Sequence, residues 1–144
     1  MIHFEVPGPA VAKARARVFT QKTKSGGVFT RAYTPKKTVN YENLIKMAFQ
    51  AAKPDGFTPF TGPVELELLI CLAIPASFSN KKRELALRGV VKPLVKPDVD
   101  NYLKTFADAL NGLAYLDDKQ IVKATVRKAY YPEAGASVVL TPED

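Results

Sequence analysis

Cysteine and histidine are nearly missing from this chain, with one of each in 144 residues. A lone Cys71 excludes an internal disulfide and a cysteine-based zinc site, and it fits a reducing, cytoplasmic compartment. It lies in the apolar run Leu68-Leu69-Ile70-Cys71-Leu72, where a buried structural thiol is expected rather than a nucleophile. His3 stands in the first predicted strand, far in sequence from the acidic cluster described below, and reads as structural or surface. Imidazole acid–base chemistry therefore has no support. Serine-nucleophile patterns and phosphate-cradling glycine loops are absent as well. No apolar run approaches the roughly 18 residues of a membrane span. The opening Met1-Ile2-His3-Phe4-Glu5 has no basic region leading into an apolar stretch, so it is not expected to be a secretory signal.

The most uneven absence is negative charge. Between residues 6 and 41 there is no Asp or Glu, while Lys13, Arg15, Arg17, Lys22, Lys24, Arg31, Lys36 and Lys37 all fall there. These cations account for the net charge of +7, because the remaining charges nearly cancel. A one-sign arm on a nearly neutral body is the electrostatic footprint of a polyanion partner. Lys13, Arg15, Arg17, Lys22, Lys24 and Arg31 are the candidate nucleic-acid contacts of this arm, about residues 13–37. Phe19, Phe29 and Tyr33 interleave with Arg15, Arg17 and Arg31, a mixture that stacks bases or simply forms the inner face of a hairpin. Lys81, Lys82, Arg83, Lys92 and Lys96 make a second basic patch, in which Lys92 and Lys96 lead directly into the acidic cluster.

Hydrophobic patterning predicts one α+β domain spanning 1–144, a mixed β-sheet with two to three helices packed on it. Residues 2–6 alternate as a strand. Segments 14–19 and 28–33 flank a polar, glycine-bearing connection and suggest a hairpin. Tyr41, Leu44, Ile45, Ala48 and Phe49 form one apolar stripe of a helix over about 36–52, which Lys53-Pro54-Asp55-Gly56 breaks. Residues 64–74 read as a central strand buried on both faces toward its end. A capped helix follows at about 79–90. The helix from Asp98 to about Leu110 has Val99, Leu103, Phe106 and Leu110 as its expected inner stripe, and Asn111-Gly112 closes it. Strands are expected at 121–131 and 136–141.

Against this background Asp98-Val99-Asp100-Asn101, then Lys104, Asp108 and Asp117-Asp118, stand out. Asp98 follows Pro97 and is placed to cap the helix, with its carboxylate beside free backbone N–H groups. A helix N-terminus also favours phosphate oxygens. Asp100, Lys104 and Asp108 are spaced by four and share one ridge. Asp117 and Asp118 precede a strand, so the returning chain can bring one of them back to the helix start. A short D-x-D-N is weak alone, since capping and solvation explain most such occurrences. Joined to a lysine one turn on, an Asp-Asp pair and basic surroundings, it points to a divalent cation among oxygen ligands and to chemistry on a phosphodiester. Lys104 then places a fixed charge on the phosphate, or forms only a helix ion pair.

Lys96-Pro97-Asp98-Val99-Asp100-Asn101-Tyr102-Leu103-Lys104, Asp108-Ala109-Leu110-Asn111-Gly112 and Asp117-Asp118-Lys119-Gln120-Ile121-Val122 together resemble the RusA family of Holliday junction resolvases. The similarity is close from Lys96 to Lys128 and looser in the N-terminal half, where Gly8-Pro9, Lys13 and Arg15/Arg17 look like the family's opening segment. The stretch from Pro75 to Val95 departs from compact members, being longer and less arginine-rich. The resemblance implies a homodimeric, Mg²⁺-dependent endodeoxyribonuclease, with Mn²⁺ as a substitute, that nicks opposed strands of four-way DNA junctions in recombination and repair. It places the acidic metal-binding and catalytic residues on Asp98, Asp100 and Asp118 and the essential lysine on Lys104, with Asp117 and Asn101 in support and an active-site segment over about 96–122. A prophage origin would be in keeping with it. Two other readings compete: a metal-dependent nuclease for flaps or other branched DNA, and a non-catalytic basic DNA-binding module.

Overall fold

In a computed structural model the described residues are 1–13, 17–22, 24, 26–33 and 35–143. The chain begins with strand β1 (Ile2–Pro7), in which Ile2, Phe4 and Val6 are buried while His3 and Glu5 are exposed. Strands β2 (Arg17–Lys22) and β3 (Val28–Tyr33) form a separate antiparallel ribbon, with Arg17 opposite Tyr33 and Phe19 opposite Arg31. Helix α1 (Lys36–Ala52) buries Tyr41, Ile45 and Phe49, with Leu44 and Ala48 packed beside them, as its apolar period predicts.

After β4 (Val64–Ala73) come α2 (Asn80–Leu87), α3 (Val99–Leu110), a one-turn 3-10 helix (Asp118–Gln120), β5 (Ile121–Tyr131) and β6 (Gly135–Pro142). The Ser79 side chain caps α2 by accepting from the Lys82 N–H at 3.2 Å. The main sheet has the order β1-β6-β4-β5. Strand β6 runs antiparallel to both β1 and β4, whereas β4 and β5 are parallel, so the sheet is mixed. A parallel pair requires a crossover, and here α2 and α3 supply it. That crossover lays α3 over the sheet with its polar ridge outward.

One face of the sheet holds the core. Leu66, Leu68 and Ile70 of β4 are buried there with Val138 and Leu140 of β6, beneath α1 and α3. The expectation that β4 is buried on both faces is corrected: Glu67 and Ala73 on the opposite face are exposed, and Leu69 and Cys71 are only half-buried. Three helices all lie on one side of the sheet or at its β5 edge, and so the run Leu68–Leu72 does not require a second covering layer. Partial burial pushes the Cys71 thiol above its ordinary value, which keeps it protonated near neutral pH. His3 is exposed and pairs with the Ser137 hydroxyl at 3.0 Å.

The stripe of α3 is also corrected. Tyr102, Phe106, Ala109 and Leu110 are buried, whereas Val99 is 40% exposed and Leu103 half-buried. The inner face is set by Phe106, which meets Tyr41 of α1 edge-to-face at 5.8 Å. That rotation leaves the first-turn Val99 beyond the packed layer. Phe106→Ala should therefore cost about 3–5 kcal/mol, the range for truncating a fully buried aromatic, and a urea midpoint unchanged from the parent would contradict this packing.

Candidate active site and metal centre

The polar ridge of α3 follows from four-residue spacing. Lys104 Nζ lies 3.0 Å from Asp108 Oδ1, one turn along the helix. Asp108 carries a second lysine, since Lys13 Nζ is 3.4 Å from its other oxygen and 2.7 Å from Glu42 Oε1 on α1. The Lys13 backbone N–H also donates to the Asn101 carbonyl at 3.0 Å, so the N-terminal arm is fastened to α3 by main chain and side chain together. Burial works to lower the Lys13 ammonium, but Glu42 and then Asp108 outweigh it and hold it above its ordinary value. That charge is committed within the protein. Asn101 takes part through its carbonyl, which also accepts from the Thr105 hydroxyl at 3.2 Å.

The returning chain is held by residues with no chemical signature of their own. The buried Tyr115 hydroxyl donates to the Ala107 carbonyl at 2.6 Å, binding the post-helical turn onto α3. Gly112, at φ 80°, makes the left-handed step that starts the turn. The Asp117 carboxylate accepts from the Lys119 N–H at 3.0 Å, and its own N–H donates to Gln120 Oε1 at 2.9 Å. Gln120 Nε2 in turn donates to the carbonyls of Phe60 and Gly62 at 2.8 and 2.9 Å. This reciprocal cap fixes the 3-10 turn against the segment leading into β4.

Asp118 opens that turn, with Oδ2 at 4.0 Å from Lys104 Nζ. Asp100, Lys104 and Asp118 line a single cavity of about 350 Å³, walled also by Leu103, Ile121 and Val122. The two neighbouring aspartates are pulled apart in acidity. The Lys119 backbone N–H and then the hydrogen bond with Asp118 hold Asp117 below its ordinary value. Asp118 is raised, first by that hydrogen bond with Asp117 and then by burial, against the pull of Lys104.

Asp98 occupies the backbone capping position of α3, and its carbonyl accepts from the Asn101 and Tyr102 N–H groups at 3.2 and 3.4 Å. The expectation that its side chain caps the helix is corrected: the carboxylate makes no capping bond and is exposed. The chain does return toward the first turns of α3: Asp118 comes back beside Lys104 and shares a cavity with the first-turn Asp100. The tether at Tyr115 and Gln120 sets where β5 begins. Among the described residues, no three acidic, histidine or cysteine side chains are gathered closely enough to hold a metal ion.

Of the expected DNA contacts, Lys22, Lys24, Lys92 and Lys96 are exposed. Arg17 and Arg31 lie in the ribbon strands, and Arg15 falls outside the described residues. Glu42, Tyr115, Gln120 and Lys128 were missed from sequence. The D-x-x-Q spacing of Asp117 and Gln120 is a capping-box signal that could have found one of them; Tyr115 left no local signal. Lys128 donates to the Val95 and Pro97 carbonyls at 2.7 and 3.1 Å, steadying the approach to Asp98.

The family model described as Endodeoxyribonuclease RusA matches residues 7–141. The chain belongs to that family, whose members resolve Holliday junctions and act on branched DNA with metal-dependent chemistry. It is also 37% identical over 141 residues to the uncharacterized protein YqaN of Bacillus subtilis (strain 168), covering 96% of this chain and 94% of that protein. The donors are of the kind a hard divalent cation takes: Asp100 and Asp118 line one cavity, and the exposed Asp98 carboxylate is not consumed by the helix cap. Among the described residues, no helix is long and apolar enough to cross a membrane.

The opposed shifts of the adjacent aspartates are open to direct titration. Carboxyl-detected NMR should find Asp118 titrating above 3.8 and Asp117 below it. Asp117→Asn should bring Asp118 down, because it removes the neighbouring carboxyl that raises it. An Asp118 pKa that stays put in the variant would break the proposed coupling.

Proposed function

We propose that this RusA-family chain is a Mg²⁺-dependent endodeoxyribonuclease that resolves four-way DNA junctions as a homodimer, by paired nicks in opposed strands. The single observation that supports it most is the shared cavity of Asp100, Lys104 and Asp118 in a chain of this family. A nuclease needs oxygen donors for a cation and a fixed positive charge near the reacting phosphate, and this cavity offers both.

When bound, the cation supplies an activated water and offsets charge developing on the phosphate. Asp100 and Asp118 would hold it, and Asp98, which is not gathered with them in this structure, would have to turn in as the third donor; a hard divalent ion often needs only one or two carboxylates alongside water and substrate phosphate. Lys104, with more than half of its side chain exposed, is positioned by Asp108 rather than buried by it. It can therefore turn its ammonium toward a phosphate oxygen as charge builds there. Water attacks phosphorus in line, the P–O3′ bond breaks, and the 3′ oxygen leaves with a proton to give 5′-phosphate and 3′-hydroxyl ends. Asp117 and Asn101 act behind this set, one by ordering the Asp118 turn and the other through its carbonyl bond to the arm.

Lys22, Lys24, Lys92 and Lys96 are proposed to grip phosphates, together with Arg15, Arg17 and Arg31 of the arm. Such contacts position DNA without reading its sequence. Lys13 takes a different part in this reading: its bonds to Glu42 and Asp108 hold the residue itself against α1 and α3. A two-fold dimer would present two equivalent cavities to symmetric strands.

On a synthetic junction with Mg²⁺, the parent should cut two opposed strands symmetrically. Asp98→Asn, Asp100→Asn and Asp118→Asn should each bind the junction but lose about 100-fold or more in cleavage rate, and Lys104→Ala should lose a similar factor. Undiminished nicking by all three aspartate variants would defeat the assignment. Equal cutting of a flap and a junction would favour a broader branched-DNA nuclease.

A further inference from the structure

A second cavity, of about 360 Å³, lies between the end of α2 with its following loop and the last residues of β5. It is distinct from the Asp100–Asp118 cavity, sharing no lining residue with it. Its wall carries Arg88, Lys92, Arg127 and Lys128 and no carboxylate. Two of these cations make bonds to the backbone: Lys92 Nζ donates one to the Gly89 carbonyl at 2.8 Å and keeps its charge and other donors, and Lys128 donates to Val95 and Pro97. Arg88 and Arg127 are exposed, and among the described residues neither side chain takes part in an ion pair. Tyr130 and Tyr131 complete the lining. Tyr130 is braced edge-to-face by Phe78 at 5.6 Å, whereas Tyr131 remains 39% exposed.

Strand β5 is the edge of the sheet, so the cavity opens beside a row of backbone groups that no neighbouring strand pairs. Two free guanidinium forks suit phosphate oxygens, which they hold bidentately. An exposed tyrosine ring beside them suits the face of an unstacked base. The volume falls in the ~300–1,000 Å³ range of small-ligand sites, with room for a nucleotide unit and not for a duplex. The position argues in the same direction. Lys128 forms part of this wall and holds the carbonyls of Val95 and Pro97, next to Asp98, so one side chain joins the cavity to the catalytic segment.

We propose that this cavity is a nucleotide subsite, which takes one nucleotide unstacked at the branch point of a DNA strand, with its phosphate on Arg88 and Arg127 and its base against Tyr131. The inference rests on the nuclease reading above and specifies how that site meets its substrate. Stacking is interrupted at a branch point and continuous in linear duplex, so a nucleotide there is easily unstacked and the subsite makes the enzyme prefer branched over linear DNA.

The test is equilibrium binding of the full chain, without divalent cation, to a four-way junction and to linear duplex of equal length. Arg88→Gln/Arg127→Gln should weaken junction binding about tenfold or more, as expected for lost charged hydrogen bonds. The salt slope should fall by about 0.9 for each phosphate contact removed. Tyr131→Ser should weaken junction binding and leave duplex binding nearly unchanged. If the double variant proves unfolded by its melting curve, Arg127→Lys keeps the charge, loses the fork and should still weaken junction binding. Parental affinity and slope in the Arg variants, or an equal loss on junction and duplex, would overturn the subsite while the parent still cuts junctions. A parent that neither binds nor cuts branched DNA would instead overturn the function and the subsite with it.

Discussion

Asp108 holds two lysines at once, and the rest of the site is built around that fact. One of its oxygens takes Lys104 from the same helix and the other takes Lys13 from the N-terminal arm. Glu42 on α1 shares Lys13, so that one ammonium joins α1, α3 and the arm. The arrangement is partly exposed, and pairs of that kind contribute little to stability individually. Its consequence is positional. Lys104 is steered toward Asp118 and the cavity, and Lys13 is held against α1 and α3.

Beneath this polar layer, the hydrophobic core does the aligning. Phe106 against Tyr41 sets the rotation of α3, and that rotation determines which of its residues face outward. Had Val99 and Leu103 been the buried stripe, the ridge of Asp100, Lys104 and Asp108 would have turned with them. The hydroxyl of Tyr115 and the amide of Gln120 then set where the chain re-enters the sheet. Packing thus controls chemistry here through two angles: the roll of a helix and the start of a strand.

Charge is segregated in the same economical way. Cations concentrate in the arm sequence, in the stretch before Asp98 and around the end of β5, and they offset carboxylates that would repel a polyanion if left alone. Lys128 belongs to both sides of this arrangement, lining the cationic cavity while holding the loop that carries Pro97. Screening by salt weakens the outer cations first, because they are exposed, and the Lys13 network least.

Much of this protein was legible in its residues. The one-domain α+β class and the helix over 36–52 follow from periodicity, since a 3.6-residue stripe is a local property. The ridge of Asp100, Lys104 and Asp108 is local for the same reason, as are the D-x-D-N, D-A-L-N-G and D-D-x-Q blocks characteristic of the RusA family. What required tertiary structure was every relation between segments distant in the chain. The pairing of Lys13 with Glu42 and Asp108, the uncovered face of β4 and the meeting of Asp118 with Lys104 are of that kind. So is the meeting of Arg88 with Arg127. Sequence spacing reports what lies one or two turns away; loop closure and core packing, which act over tens of residues, decide what comes back to meet it.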